Sequence, residues 1–243
     1  MVIQMMIYNA LKLDLNNGEI ISVVGGGGKT TTIFQLAKEL KALNKKILIT
    51  TTTAIYMPDE KEYDYLFLND IKDFSPNDGT ISVWVQEVKE EKLMGVSLKK
   101  LDEIVEKRIF DFILVEADGA KKKPIKAPGE HEPVVTENTT KTIGVIGLDS
   151  LGKTIDEETV HRPEILIKIT NTDLLDIIKA DVIVKLVLEE EGLFKSSKGE
   201  KILLLNKAND HDLIKEGMKI RKSLLNKGIR NVVISDIQRK MFY

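Results

Sequence analysis

Four consecutive glycines, Gly25, Gly26, Gly27 and Gly28, separate the mostly apolar run Ile20–Val24 from the polar string Lys29-Thr30-Thr31-Thr32. Glycine lets successive backbone N–H groups turn inward around an anion, and a helix that starts directly afterwards adds its positive end. The spacing gives Lys29 the place of a point charge on terminal phosphates and Thr30 that of a hydroxyl ligand for Mg²⁺. Thr31 and the glycine amides complete the candidate phosphate contacts. The chemistry is binding of a nucleoside triphosphate, ATP or GTP with the base left open, together with Mg²⁺.

Such a site needs a carboxylate near the hydroxyl, because Mg²⁺ takes oxygen ligands. The apolar run Phe112–Val115 ends in Glu116-Ala117-Asp118-Gly119, which resembles the D-x-x-G element of GTPase-like proteins with Glu in place of Asp. Either Glu116 or Asp118 can meet the metal, and Asp118 stands beside Lys29 as a candidate catalytic group. Thr50–Thr53 close another apolar run. Thr52 and Thr53 can face the γ-phosphate, or serve only as strand formers. Asn206-Lys207 follow Ile202–Leu205 and resemble the N-K-x-D base-reading motif, but Asn209 stands at the Asp position and Asp210 comes after it. An amide cannot supply the paired carboxylate acceptors that guanine uses. Base contact by Asn206 and Lys207 and a plain turn before the next helix are the two readings.

The glycine loop is also shorter than the common G-x-x-x-x-G-K-[ST] form, which would have its first glycine at Val23. Read as G-x-x-G-K-T-T, Gly25 to Thr31 resembles the compact P-loop of the Mur-ligase type. The helix after it is expected from Ile33, Leu36, Ala37, Leu40 and Leu43, at three- and four-residue spacings. Further β-branched runs at Ile47–Thr52, Tyr65–Leu68, Ile81–Val85, Phe110–Val115, Thr142–Ile146, Asp181–Leu186, Ile202–Leu205 and Asn231–Ser235 read as strands. Helical faces appear at Leu98–Ile109 and at Leu213, Gly217, Ile220 and Leu224. Apolar runs without alternation suit strands covered on both faces, so the pattern predicts an α/β fold, a doubly wound, mainly parallel sheet of the P-loop NTPase type, with residues 1–243 as one domain.

The main irregular stretch, Ala117–Lys141, carries Pro124, Pro128, Pro133, Lys121, Lys122, Lys123, Lys126 and His131. It leaves a strand end, where ligands bind in open α/β sheets, and reads as an active-site loop that closes over a second substrate. His131, between Glu130 and Glu132, is a candidate general base, with packing of the loop as the alternative. His161-Arg162-Pro163 can bring a fixed charge to phosphate or lie on the surface. The net charge of −2 speaks against bulk attraction to nucleic acid, and no apolar stretch reaches membrane-spanning length. Met1–Leu15 fails as a signal peptide, and with no cysteine there is no disulfide or thiolate site. The expected location is the cytoplasm.

Taken together, Val24–Thr31, Thr50–Thr53, Glu116-Ala117-Asp118-Gly119-Ala120, Pro124-Ile125-Lys126-Ala127-Pro128 with His131-Glu132-Pro133, and Asn206-Lys207 resemble the YqeC family of selenium-dependent molybdenum hydroxylase accessory proteins. The resemblance implies a P-loop nucleotide-binding protein whose partners are a nucleotide and a molybdenum hydroxylase client or its cofactor. It leaves three reactions open: NTP hydrolysis or phosphoryl or nucleotidyl transfer, a nucleotide-switched chaperone with slow turnover and no small-molecule product, and a Mur-like ligase.

Overall fold

The computed structural model describes residues 3–243. A two-residue strand β1 (Ile3–Gln4) and a short helix α1 (Ile7–Ala10) precede β2 (Glu19–Gly25), which runs into the glycine loop and α2 (Lys29–Ala42). Next come β3 (Lys46–Thr51), β4 (Ala54–Tyr56), β5 (Tyr65–Leu68), β6 (Thr80–Val85), β7 (Glu87–Lys89) and β8 (Lys92–Met94). Helix α3 (Leu98–Lys107) leads to β9 (Phe112–Glu116), and β10 (Ile125–Lys126) to β11 (Lys141–Gly147). The last part holds β12 (Val160–His161), α4 (Pro163–Thr170), α5 (Ala180–Leu188), β13 (Glu200–Asn206), α6 (His211–Leu225), β14 (Val232–Asp236) and β15 (Met241–Phe242).

Ten strands form one sheet in the order β1-β15-β14-β13-β11-β2-β9-β3-β6-β5. All pairs from β14 to β5 are parallel, and at one edge β15 alone runs against the rest, pairing antiparallel with β14 and with β1. After β2 the chain builds one wing through β3, β5 and β6, returns in β9 next to β2, and crosses to the other side in β11. The winding thus reverses at β9, β2 and β11, and in sheets of this kind ligands bind outside the carboxyl ends of the strands at such a point. The architecture is a doubly wound α/β fold.

Alternate residues of the central strands feed two faces. Ile21 and Val23 of β2 and Leu114 of β9 pack with Ile33, Leu36, Ala37 and Leu40 of α2, the apolar stripe expected from the sequence except for Leu43, which caps the helix end and is exposed. On the opposite face Val24 of β2 and Ile146 of β11 pack with Val182, Ile183, Leu186 and Val187 of α5, while Leu48, Ile113 and Val115 meet Leu101 and Ile104 of α3. Each such side chain removed from water stabilises the fold by roughly 1.5–3 kcal/mol. The loop and its neighbours therefore sit on strands fixed from both sides.

The run Asp181–Leu186, expected as a strand, is instead part of α5. Val182, Ile183, Val184, Leu186 and Val187 are all buried, so the helix is apolar around most of its girth, and its polar edge is only Asp181 and Lys185, too short within a β-branched run to mark the helical period. Small β4, β8 and β7 form a separate antiparallel sheet that the sequence did not suggest, because its strands are only three residues long. Among the described residues no helix is long and apolar enough to cross a membrane.

Candidate functional site

The carboxyl ends of β2, β9, β11 and β13 meet at the glycine loop. Gly25 closes β2 with φ +94°, Gly27 has φ +80°, and Gly28, the residue that caps α2, has φ +122°, conformations that a side chain rarely adopts. Space is as restrictive as backbone. A Cβ on Gly25 would lie 2.4 Å from the Val145 carbonyl oxygen of β11, one on Gly26 2.8 Å from the Lys123 oxygen, and one on Gly28 2.6 Å from the Asn206 amide nitrogen. The loop is gripped rather than free.

Its amides divide accordingly. Gly25 N–H donates to Asp118 Oδ2 at 3.0 Å, Gly26 N–H to Val145 O at 2.9 Å and Gly27 N–H to Lys123 O at 3.0 Å. Among the described residues no acceptor faces the N–H groups of Gly28, Lys29, Thr30 and Thr31, the first amides of α2. A helix start leaves such donors without intrahelical partners and carries a partial positive charge. The amides left open thus narrow from the whole glycine run to Gly28–Thr31, those of Gly25–Gly27 being engaged by the protein itself.

Lys29 is buried at the first position of α2. Its Nζ donates to Gly25 O at 2.7 Å and lies 3.2 Å from Asp118 Oδ1 and 3.6 Å from Glu116 Oε1. Burial alone would lower its pKa, but the Asp118 and Glu116 carboxylates outweigh this and hold it above the ordinary lysine value. Glu116 ends β9 and is buried as well. Desolvation pushes its carboxyl up, against the pull of Lys29 and of the Thr30 hydroxyl, which donates to Glu116 Oε2 at 2.7 Å. A hydroxyl and a carboxylate held this close, beside the open amides of the helix start, are oxygen donors of the type Mg²⁺ takes. The donor set fits the ion.

Asp118 faces the other way. Besides Gly25 N–H and Lys29 it pairs through Oδ2 with Lys126 Nζ at 3.0 Å, and Lys126, 1 % exposed, also reaches Gly119 O and Glu132. Glu132 in turn accepts from Arg162 at 2.6 Å, at the start of α4. Lys29, Lys126 and Arg162 alternate with Glu116, Asp118 and Glu132 in one chain of contacts from the glycine loop to β12. Of the two carboxylates the sequence offered to a metal, Glu116 is beside Thr30, and Asp118 ties the loop to Lys126.

The other candidates fall in different places. Thr52 donates its hydroxyl to Val134 O at 2.8 Å and its N–H to Glu116 O, so it buttresses β9, while Thr53 is packed against the Thr51 hydroxyl. Asn206, at the end of β13, donates to Gly27 O at 2.9 Å and accepts from Ile237 N–H; its amide holds the glycine loop. Lys207 pairs with Asp149 just beyond β11 at 2.8 Å. Asp210 caps α6 by accepting from Leu213 N–H, in agreement with the plainer reading of that turn. His131 is exposed, with no side-chain hydrogen bond among the described residues. The segment 117–141 does not hang over the site: Pro124–Gly129 are buried and β10 pairs with β12. Arg162, expected on the surface, is the far clamp of that segment.

The sequence did not single out Lys126, Glu132 or Asp149 as site residues. Asp149 carried the signal that marked Glu116, a carboxylate just past an apolar strand. Lys126 and Glu132 stood out only as members of the proline-containing motif that carries the family resemblance, since a lysine and a glutamate six residues apart show no periodicity that would pair them. Their pairing makes acid stability testable. Burial, then the Arg162 and Lys126 charges, lower His161 to about 4 from 6.5. The unfolded chain therefore takes up that proton at higher pH, and stability present above pH 6.5 is lost as pH falls towards 4. Glu132 is held at about 2 against its burial by Arg162 and Lys126, which adds a loss from pH 4.5 downwards. In urea titrations between pH 7 and 4, His161→Asn should show a flatter decline than the parent chain; an unchanged slope would remove His161 from the account.

The fold and this loop define a doubly wound α/β protein with a glycine-rich loop opening onto a helix start. Residues 21–164 match the family described as YqeC protein, a span from β2 through the glycine loop, Asp118 and Arg162. The chain is also 34% identical over 197 residues to the protein of Escherichia coli (strain K12) described as "Uncharacterized protein YqeC", covering 77% of this chain and 76% of that one. The chain belongs to the YqeC family.

Proposed function

We propose that the protein is a Mg²⁺-dependent P-loop protein that binds a nucleoside triphosphate and acts as an accessory factor in maturation of a selenium-dependent molybdenum hydroxylase. The accessory role comes with the family resemblance. The nucleotide reading is carried by one observation: Lys29, buried at the start of α2, stands between the Gly28–Thr31 amides and a Thr30–Glu116 oxygen pair. Phosphate oxygens would take the free amides and the Lys29 ammonium, exchanging Lys29 from its carboxylates to the ligand. Thr30 and Glu116 would hold Mg²⁺, which supplies charge neutralisation on the phosphates. Asp118 and Lys126 keep the loop and Lys29 in register.

Equilibrium binding of ATP, GTP and CTP with and without Mg²⁺ tests this. Lys29→Ala should weaken the preferred nucleotide by about tenfold to a hundredfold, the scale of one charge-assisted phosphate contact. Thr30→Ala, which leaves the ion pairs intact, should keep the fold and remove most of the Mg²⁺ dependence. Saturable binding unchanged in both variants, or none with any of the three nucleotides, would overturn the reading.

A further inference from the structure

The turn that grips the glycine loop carries three consecutive lysines. Lys121 and Lys122 both have left-handed backbone, φ +47° and +62°, and both side chains are exposed. Two adjacent non-glycine residues in this region persist only where the surroundings hold them, and such strain collects at ligand sites. Here the holding groups are the glycine loop itself and β11: Gly27 N–H donates to Lys123 O and Gly147 N–H to Pro124 O. Among the described residues neither Lys121 nor Lys122 has a carboxylate within ion-pair distance. The carboxylates below them, Glu116, Asp118 and Glu132, are already engaged by Lys29, Lys126 and Arg162.

Facing this turn is Tyr56 at the end of β4, 43% exposed, with Lys122 Nζ 4.1 Å from its ring centre and Lys92 Nζ at 5.5 Å. Tyr56 is linked to the site by sequence and by hydrogen bonds, since Thr52, four residues before it, donates its N–H to the Glu116 carbonyl. Tyr56 and Met57 line an open cavity of about 380 Å³ whose other wall is Glu90 and Glu91 at the turn between β7 and β8. A half-exposed aromatic ring with two ammonium groups near it and a cavity shared with two glutamates is a set with complementary demands. The ring stacks a planar system, the lysines take phosphate, and the glutamates accept from N–H groups on the ring edge.

We propose that Tyr56, Lys121 and Lys122 form a second subsite, for a phosphorylated heteroaromatic compound with N–H donors on its ring edge. A stacked ring takes the place over Tyr56 that the Lys122 ammonium now holds, and that ammonium moves to the phosphate. The subsite deepens the nucleotide reading, on which it rests for the identity of its neighbour, by naming the class of the second substrate.

Flavin mononucleotide is a suitable fluorescent probe, since it has a planar ring, an edge N–H and a phosphate, and riboflavin differs by lacking the phosphate. On the wild-type chain the mononucleotide should bind about tenfold or more tightly than riboflavin. Tyr56→Leu should weaken both about tenfold, Tyr56→Phe should not, and Lys121→Gln with Lys122→Gln should erase the difference between the two probes. Inorganic tripolyphosphate with Mg²⁺, directed at the glycine loop, should leave flavin mononucleotide bound. No binding, equal binding of the two probes, insensitivity to Tyr56→Leu, or displacement by tripolyphosphate would each overturn the subsite. Displacement would leave the nucleotide reading standing, and Tyr56-dependent binding in a chain that binds no triphosphate would leave the subsite standing alone.

Discussion

Asp118→Asn is expected to lose about 3–5 kcal/mol of folding stability, the usual range when one partner of a buried ionic contact is removed. The carboxylate lies between two buried lysines, 3.2 Å from Lys29 and 3.0 Å from Lys126, and accepts from Gly25 N–H. Asparagine keeps the shape and can keep the Gly25 contact, so the loss isolates the charge. It leaves Lys29 with Glu116 and Lys126 with Glu132, so neither cation is wholly orphaned and the loss falls at the low end of that range. A double replacement, Asp118→Asn with Lys126→Met, removes one of the uncompensated charges and should cost less than the sum of the two single changes. Urea unfolding of the four chains measures both quantities. A loss under about 1 kcal/mol for Asp118→Asn, or simple additivity, would mean that the chain of ion pairs does not act as a unit.

Gly27→Ala should be at least as damaging, by a different mechanism. The new Cβ would stand 2.1 Å from Gly147 N, 2.5 Å from Gly147 Cα and 2.8 Å from Pro124 O. All three neighbours are backbone, and the chain there is fixed by β11 and by Gly147 N–H donating to Pro124 O. Nothing flexible can give way, so the added methyl must deform the strand end; with the left-handed φ of +80° this amounts to about 3 kcal/mol or more. Gly152 supplies the comparison, with φ +77° and nothing within 4 Å of the place a Cβ would take. Gly152→Ala should lose only the backbone part, about 1 kcal/mol. Thermal unfolding of the two variants separates crowding from conformation, and equal shifts in Tm would contradict the close approach described here.

What could be read from the sequence follows physical range. The runs Ile20–Val24, Ile47–Thr52, Ile81–Val85 and Ile202–Leu205 announced themselves because buried parallel strands are apolar on both faces, and α2 because Ile33, Leu36, Ala37 and Leu40 recur at the helical period. The run Asp181–Leu186 misled because a helix buried on most sides keeps only a narrow polar edge, here Asp181 and Lys185, within a β-branched run. In the site, Lys29, Thr30, Glu116 and Asp118 are brought together, each at a strand end or helix start that local pattern marks. The division of labour between Glu116 and Asp118 was not legible, since it depends on Lys126 reaching back from β10. Neither was the place of Asn206, whose contact with Gly27 O spans 179 positions. The segment 117–141 showed its length and prolines but not its burial, which the pairing of β10 with β12 produces.

The engagement of the Gly25, Gly26 and Gly27 amides by Asp118, Val145 and Lys123 bears on timing. A loop of bare glycines would have to be collected from many conformations at each encounter, and ligand capture would slow in proportion to the rarity of the right one. For the proposed triphosphate the loop is already held in place, so encounter and capture would become one event, and the residence time would fall to the few groups that change partners: Lys29, Thr30 and Glu116.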